Sequence, residues 1–356
     1  MLYLGLTSIL FLLRYALSRH GAALEIFYFF TLVWLFFFSA FRFRVGCDWG
    51  GYYHQYLAAV NLDWSSILEI SESGWWGILV WVHYMELPYP VINIISSAIF
   101  FLGIHAFARR QPDPLGFLVL LFPILIINMP MSGVRQGAAI GLICIGFLAF
   151  IDRRPLWFTV WVVLASLLHS SAVVFILLLP LTTGKYSKYR LLLAAILAVP
   201  GILALASGDS ADVATSRYIN SDVDSAGAIF RVGTLFLTAL YFFKYIRKSW
   251  HQCWPRDYTL ASIGAIGMVL VFFLIPLSTV IGDRFGYYLI PLQAMIFARL
   301  PFLPFRTNKT LHSAAPYLGL LLVFAVWSQR SWIFSLCYTP YQTWIFGFPA
   351  SAPLGY

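Results

Sequence analysis

The chain has 356 residues, of which 61% are hydrophobic and 10% charged, with a formal net charge of +9 and mean hydropathy +0.81. A soluble domain carries roughly 25% charged and 45–50% apolar residues, so a water-facing globule is excluded and lipid must be the solvent for much of this surface. The positive balance does not point to nucleic acid, because the basic residues sit in short loops between apolar runs, where they orient a membrane protein.

Apolar runs of about the length needed to cross hydrocarbon recur from end to end. In chain order they predict spans near 2–18, 24–41, 89–108, 114–129, 134–151, 155–168, 170–183, 190–207, 229–246, 258–278, 285–300 and 312–329. The expected fold is all-α and polytopic, with about 10–12 transmembrane helices including one short hairpin. The first run lacks a basic start and a small-x-small cleavage site, so it reads as a retained span. The segment 74–87 is apolar but too short to cross. It predicts an interfacial or re-entrant helix with Trp75, Trp76 and Trp81 at headgroup level. Cys47, Cys144, Cys253 and Cys337 show no pair spacing, which indicates neither a zinc site nor a disulfide framework. With no repeat or soluble domain visible, residues 1–356 read as a single transmembrane domain. Outer loops 42–88 and 208–228 are its non-membrane elements.

Basic clusters set the sides. Arg14/Arg19, Arg109/Arg110, Arg153/Arg154, Lys185/Lys188/Arg190, Lys244/Arg247/Lys248/Arg256 and Arg299/Arg306/Lys309 belong on the cytoplasmic side. The run 155–183 has basic clusters at both ends, so it must enter and return, with its turn at Leu168–Ser171 carrying His169 outward. Of the 23 basic residues, the remaining seven lie outside, and all are arginine: Arg42, Arg44, Arg135, Arg217, Arg231, Arg284 and Arg330. Arginine suits forked contact with phosphate, whereas lysine suits diffuse charge.

Four outer constellations carry the candidate chemistry. The first runs from Arg42 through Arg44 and Asp48 to Tyr52, with glycines that allow close backbone approach. Asp48 there reads either as a carboxylate that binds sugar hydroxyls or takes a proton, or as the partner of Arg44 in an interfacial ion pair. The second is Ser132-Gly133-Val134-Arg135-Gln136, which puts Arg135 at a helix N-terminus already disposed to anions. The third is His169-Ser170-Ser171-Ala172, where a neutral imidazole would serve as base or hydrogen-bond a substrate. The fourth is Gly282-Asp283-Arg284-Phe285, read either as a helix-start acid paired with its neighbour or as a second phosphate fork. Arg217, Arg231 and Arg330 are supporting candidates, and Tyr338, Tyr341 and Trp344 are candidates to line a sugar groove.

These signatures resemble the EpsG-like branch of the Wzy-type polysaccharide polymerases. The matching features are R-x-G-x-D-x-x-x-Y at Arg44–Tyr52, Val-Arg-Gln at 134–136, His-x-Ser-Ala at 169–172 and Asp-Arg at 283–284. They stand in the family's order over nearly the whole chain. Cys47, before the aspartate, departs from the small polar residue more usual there. The resemblance implies a GT-C-like enzyme of the bacterial inner membrane, acting at the periplasmic face. It would join repeat units carried on undecaprenyl pyrophosphate into O-antigen, capsule or exopolysaccharide. Donor and acceptor lipids, the bilayer and a chain-length regulator are the candidate partners; no nucleic acid and no cofactor are implied. The expected mechanism is inverting and metal-independent. Arg135, Arg284 and Arg44 hold the pyrophosphate, Asp48 or His169 takes the acceptor proton, and Tyr52, Gln136, Asp283 and Tyr341 line the substrate.

The nearest rival is a GT-C single-sugar transferase using a polyprenyl-phosphate donor and a divalent metal, with Asp48 or Asp63 essential. A lipid-linked oligosaccharide flippase would instead show repeat-related halves and midplane charges. A membrane acyltransferase with His169 as base would need a cytoplasmic acyl-donor route, for which the chain shows no feature.

Overall fold

The computed structural model describes residues 1–17, 21–183, 189, 227–305 and 308–347. The predicted span 190–207, the loop 208–228 up to residue 226, and Arg19, Lys185, Lys188, Arg190, Arg217 and Arg306 lie outside the described residues. Among the described residues there is no strand, only an isolated bridge between Arg42 and Thr343. Among the described residues, five helices are long and apolar enough to cross a membrane: Gly21–Ala40, Val91–Ala108, Val134–Ile151, Ala228–Cys253 and Lys309–Arg330. Shorter apolar helices cover Leu2–Leu17, Pro114–Ile126, Pro155–Leu168, Ser170–Leu181 and Tyr258–Leu274, and Thr279–Arg299 is helical throughout. The chain is an all-α polytopic membrane protein.

Local chemistry explains where the helices start and bend. Asp113 accepts the Gly116 amide at 2.7 Å, with Pro114 in the first turn, where a missing N–H costs nothing. A Cβ on Gly116 would lie 2.2 Å from Asp113 Oδ2. That same oxygen takes Arg14 Nε at 2.8 Å, so the helix cap is also the anchor of the first helix. Pro123 removes an amide from the ladder, and the helix widens into π-turns over Phe122–Ile126. Ser278 and Ser331 cap the helices that follow them.

The described helices fall into two compact units. The first comprises Met1–Leu142, Leu164–Ser170 and Tyr317–Tyr356. Within it, helices Val91–Ala108 and Val134–Ile151 meet backbone to backbone, since a Cβ on Gly103 would lie 1.9 Å from the Gly141 carbonyl oxygen. The second comprises Ile143–Val163 and Ser171–Pro316. There, helices Ala228–Tyr241, Tyr258–Leu274 and Thr279–Arg299 pack together, with Phe236 stacked on Phe272 at 4.4 Å. Gln293 Nε2 donates to Thr238 Oγ1 at 2.9 Å between two of them.

The loop 42–88 is itself folded. Helices Trp49–Ala58, Trp64–Ile67 and Ser73–Tyr84 close over an aromatic core that includes Trp49, Tyr52, Trp75 and Tyr89. Trp75, expected at headgroup level, faces the inside of this cap. It is fully buried, with its indole N–H donated to Gln55 Oε1 at 2.9 Å, because this segment packs on its own cap. Trp81 is exposed, as an interfacial residue would be, and Trp76 is half-buried.

Arg42, one of the arginines expected on the outer side, is not exposed to solvent. It is sealed in the interior and donates to Val45, Met131 and Ser39 carbonyls at 3.0, 2.8 and 2.6 Å, and to Asn93 Oδ1 at 2.8 Å. Burial lowers its pKa to about 10, so it remains a cation at neutral pH. Arg42→Lys keeps the charge but loses the planar fork. The purified variant should be destabilised by about 2–4 kcal/mol, read as a lowered thermal-unfolding midpoint. An unchanged midpoint would mean the four acceptors do not need the fork.

Candidate functional site

The first unit gathers candidates from four segments of sequence. The turn before helix Trp49–Ala58 carries Asp48 as N-cap residue, but its carboxylate makes no bond to its own helix. Instead Asp48 Oδ2 accepts from Ser132 Oγ at 3.2 Å, and the side chain stays exposed. The turn is shaped by Gly46, at φ +104°, where a Cβ would lie 1.8 Å from the Met131 carbonyl oxygen. No ion pair joins Arg44 to Asp48. Arg44 has φ 52°, is exposed, and lays its guanidinium over the Phe43 ring at 5.5 Å. The left-handed turn points it away from the carboxylate that sequence spacing offered it.

One helical turn along, Tyr52 is buried beneath Arg135, whose guanidinium sits 5.6 Å above the ring. Burial pushes the Tyr52 hydroxyl pKa up and the nearby Asp48 charge adds to it, while Arg135 pulls the other way. Arg135 also pairs with Glu72, a residue the sequence reading passed over. The other oxygen of Glu72 accepts the Ser170 amide at 2.9 Å and the Ser170 hydroxyl at 3.1 Å. Gly74 makes that reach possible, since a Cβ there would lie 2.9 Å from the Leu167 side chain. His169 sits in the break between helix Pro155–Leu168 and the 3-10 helix Ser170–Leu181, as the charge pattern predicted for a turn. It is buried, as is Gln136 behind Arg135.

The second unit holds the fourth constellation in a different arrangement from the one expected. Asp283 is not a helix-start acid. Ser278 is the cap, and Asp283 lies inside helix Thr279–Arg299. Its forked partner comes from a different helix. Arg231 grips it in a fork, Nε to Oδ1 at 2.8 Å and Nη2 to Oδ2 at 2.6 Å, with both side chains under 10% exposed. Consecutive residues on a helix point in different directions, so Asp283 and Arg284 diverge while Arg231 faces the carboxylate from the neighbouring helix. Arg284 is half-buried, and Ser171 Oγ meets the Tyr288 hydroxyl at 3.1 Å.

The aromatic tail is a clamp. Tyr341 stacks on Phe38 at 4.5 Å and donates its hydroxyl to the Phe38 carbonyl at 2.9 Å, so its polar end is committed to the fold. The adjoining chain is stitched to the Asp48 turn by Phe43 N to Gln342 O at 2.9 Å and Gly46 N to Cys337 O at 2.8 Å. Cys47 and Cys337 form a disulfide, Cα to Cα 4.8 Å, across 290 residues of sequence. This corrects the reading of the four cysteines as unpaired. Sequence spacing carries no signal for a bridge between the two ends of a chain.

In chemical terms, the first unit offers an exposed carboxylate at Asp48, a guanidinium at Arg135, and an amide and a hydroxyl at Ser170. Among the described residues, no group of three or more His, Cys, Asp or Glu side chains converges as a metal site would.

A family model described as the EpsG family matches residues 25–343. No curated protein and no solved structure matches the chain.

The bridge has a direct chemical test. The denatured, unreduced protein should take up two alkyl groups, on Cys144 and Cys253, and the reduced protein two more. Cys337→Ser should free Cys47 for alkylation. Four groups on the unreduced protein would disprove the bridge.

Proposed function

The chain belongs to the EpsG family, which carries a polysaccharide-polymerase-type role, and on that premise we propose that it joins repeat units carried on undecaprenyl pyrophosphate at the extracytoplasmic face of the bacterial inner membrane. The observation that carries the reading is the Arg135 cluster. An arginine, a backbone amide and a hydroxyl converge on one carboxylate, and a second carboxylate, Asp48, stands exposed beside them. Such donors suit a pyrophosphate, and a nearby exposed carboxylate suits an acceptor hydroxyl. The bridge between Cys47 and Cys337 supports the outer assignment of this end, because disulfides persist in oxidising compartments.

In the proposed reaction the acceptor hydroxyl oxygen attacks the anomeric carbon of the donor sugar from the face opposite its phosphate. The bond from that carbon to the pyrophosphate oxygen breaks, and undecaprenyl pyrophosphate leaves with the electron pair. Asp48 takes the hydroxyl proton. It is favoured over His169 because it is exposed and makes no cap bond, whereas His169 is buried. Arg135 stabilises the negative charge that gathers on the leaving group, work that needs a fixed cation and no metal. Tyr52 supports Arg135 from below, and Arg44 is an exposed further donor. Arg284 rests on the family pattern alone. Tyr341 is left out, since its hydroxyl is already used.

Arg135→Ala should cut polymer formation by about 10²–10³-fold, the usual cost of removing one transition-state donor, while leaving membrane insertion unchanged. Asp48→Asn should cost about 10²–10⁴-fold if it is the base. The readout is the glycan profile of a deletion strain carrying each variant. Single repeats left on the carrier fit a polymerase; normal chain length from Arg135→Ala would refute the site. Orientation is tested separately. Reporter fusions after Arg110 and Arg154 should be active inside the cell, and fusions after Glu86 and Ser331 outside. The reverse pattern would put the site on the wrong side.

A further inference from the structure

Glu72 is held in a way that its position in the chain does not require. It has φ 63° and ψ 41°, a left-handed conformation that is costly for a non-glycine residue. It stands at the N-cap of helix Ser73–Tyr84, yet its carboxylate makes no cap bond. Asp63, at the corresponding place before helix Trp64–Ile67, caps through the Ser66 amide as an acid ordinarily would. The Glu72 carboxylate instead turns away from its helix and takes Arg135 on one oxygen and the Ser170 amide and hydroxyl on the other.

That donor set is the one proteins use for phosphate oxygens. It is also reachable, since the Arg135 side chain is 27% exposed and Ser170 is exposed. We propose that Glu72 is an internal stand-in for the ligand: its carboxylate fills an anion seat formed by Arg135 and Ser170, and a lipid-linked diphosphate binds by displacing it. A diphosphate brings more charge and more acceptor oxygens than one carboxylate, so it outcompetes Glu72. When it leaves, Glu72 returns and keeps Arg135 and the Ser170 amide satisfied. The idea rests on the reading of Arg135 as a phosphate ligand. It differs from a plain structural ion pair in the sign of one effect, because removing a stand-in strengthens ligand binding and removing a support weakens it.

The test uses the full-length protein in phosphatidylglycerol nanodiscs, titrated with inorganic pyrophosphate and with farnesyl diphosphate. Glu72→Gln should bind both about tenfold more tightly than the wild type, the gain expected if Glu72 fills the seat about nine-tenths of the time. Glu72→Gly should do the same, since glycine adopts that backbone freely, and it serves as a second route should the glutamine variant fold poorly. Affinity at or below the wild-type value in the folded variants overturns the proposal. Arg135→Ala should abolish binding. If it binds like the wild type, the phosphate reading of Arg135 falls with it, whereas loss in Arg135→Ala without gain in the Glu72 variants defeats the stand-in alone. Farnesyl diphosphate should bind more tightly than pyrophosphate, and equal affinity would overturn the lipid-linked part.

Discussion

A guanidinium shut away from water must find acceptors for its nitrogens, and in this protein the demand of Arg42 ties together the segments around the candidate site. Its four bonds reach the end of helix Gly21–Ala40 at Ser39, the following turn at Val45, helix Val91–Ala108 at Asn93, and the Met131 carbonyl. Two of these hold the two sides of one contact. Met131 is the residue against which Gly46 packs, and Ser132 beside it meets Asp48. The position of an exposed carboxylate therefore follows from a buried cation six residues earlier.

The same economy recurs at helix ends. Apolar helices have little directional chemistry with which to choose neighbours in lipid, so small residues and end-of-helix polar pairs must specify them. Gly103 against Gly141 does this within the bilayer part of the first unit. Arg14 with Asp113 and Arg135 with Glu72 do it at helix ends of that unit, and Arg231 with Asp283 and Arg299 with Asp257 do it in the second. The pairs of Arg14, Arg231 and Arg299 are largely shielded from solvent, so loss of one partner there would leave an uncompensated charge rather than a mere missing contact.

What could be read in the sequence follows from the range of the interactions involved. Helices such as Val134–Ile151 and Pro155–Leu168 were legible because apolar length is a local property, and the break at His169 because charge bounds both ends of its run. Arg135, Asp48 and Tyr52 were legible as residue types out of place in an apolar chain. Their arrangement was not. Glu72 sits 63 residues from Arg135 and 98 from Ser170, in a loop whose own helices have no periodic signature linking them to the rest. Asp283 reads either as a helix-start acid beside its neighbour or as part of a phosphate fork, while its forked partner, Arg231, is 52 residues away. For Trp75 and Arg42, residues at the edges of apolar runs, the local sequence carries no signal of burial inside the protein. Here a folded cap supplies an interior for Trp75, and a cage of carbonyls and Asn93 supplies one for Arg42.

The bridge between Cys47 and Cys337 adds a matter of timing. Cys47 follows the second predicted span and is synthesised early, but its partner comes after helix Lys309–Arg330, the last long apolar helix of the described chain. The turn that bears Asp48 can be locked only after that helix has been made and has delivered Cys337 to the same side. Oxidation at this position thus acts as a seal on a completed assembly. A chain stalled partway through insertion would present its first outer loop with a free thiol beside the carboxylate, which marks it chemically as unfinished.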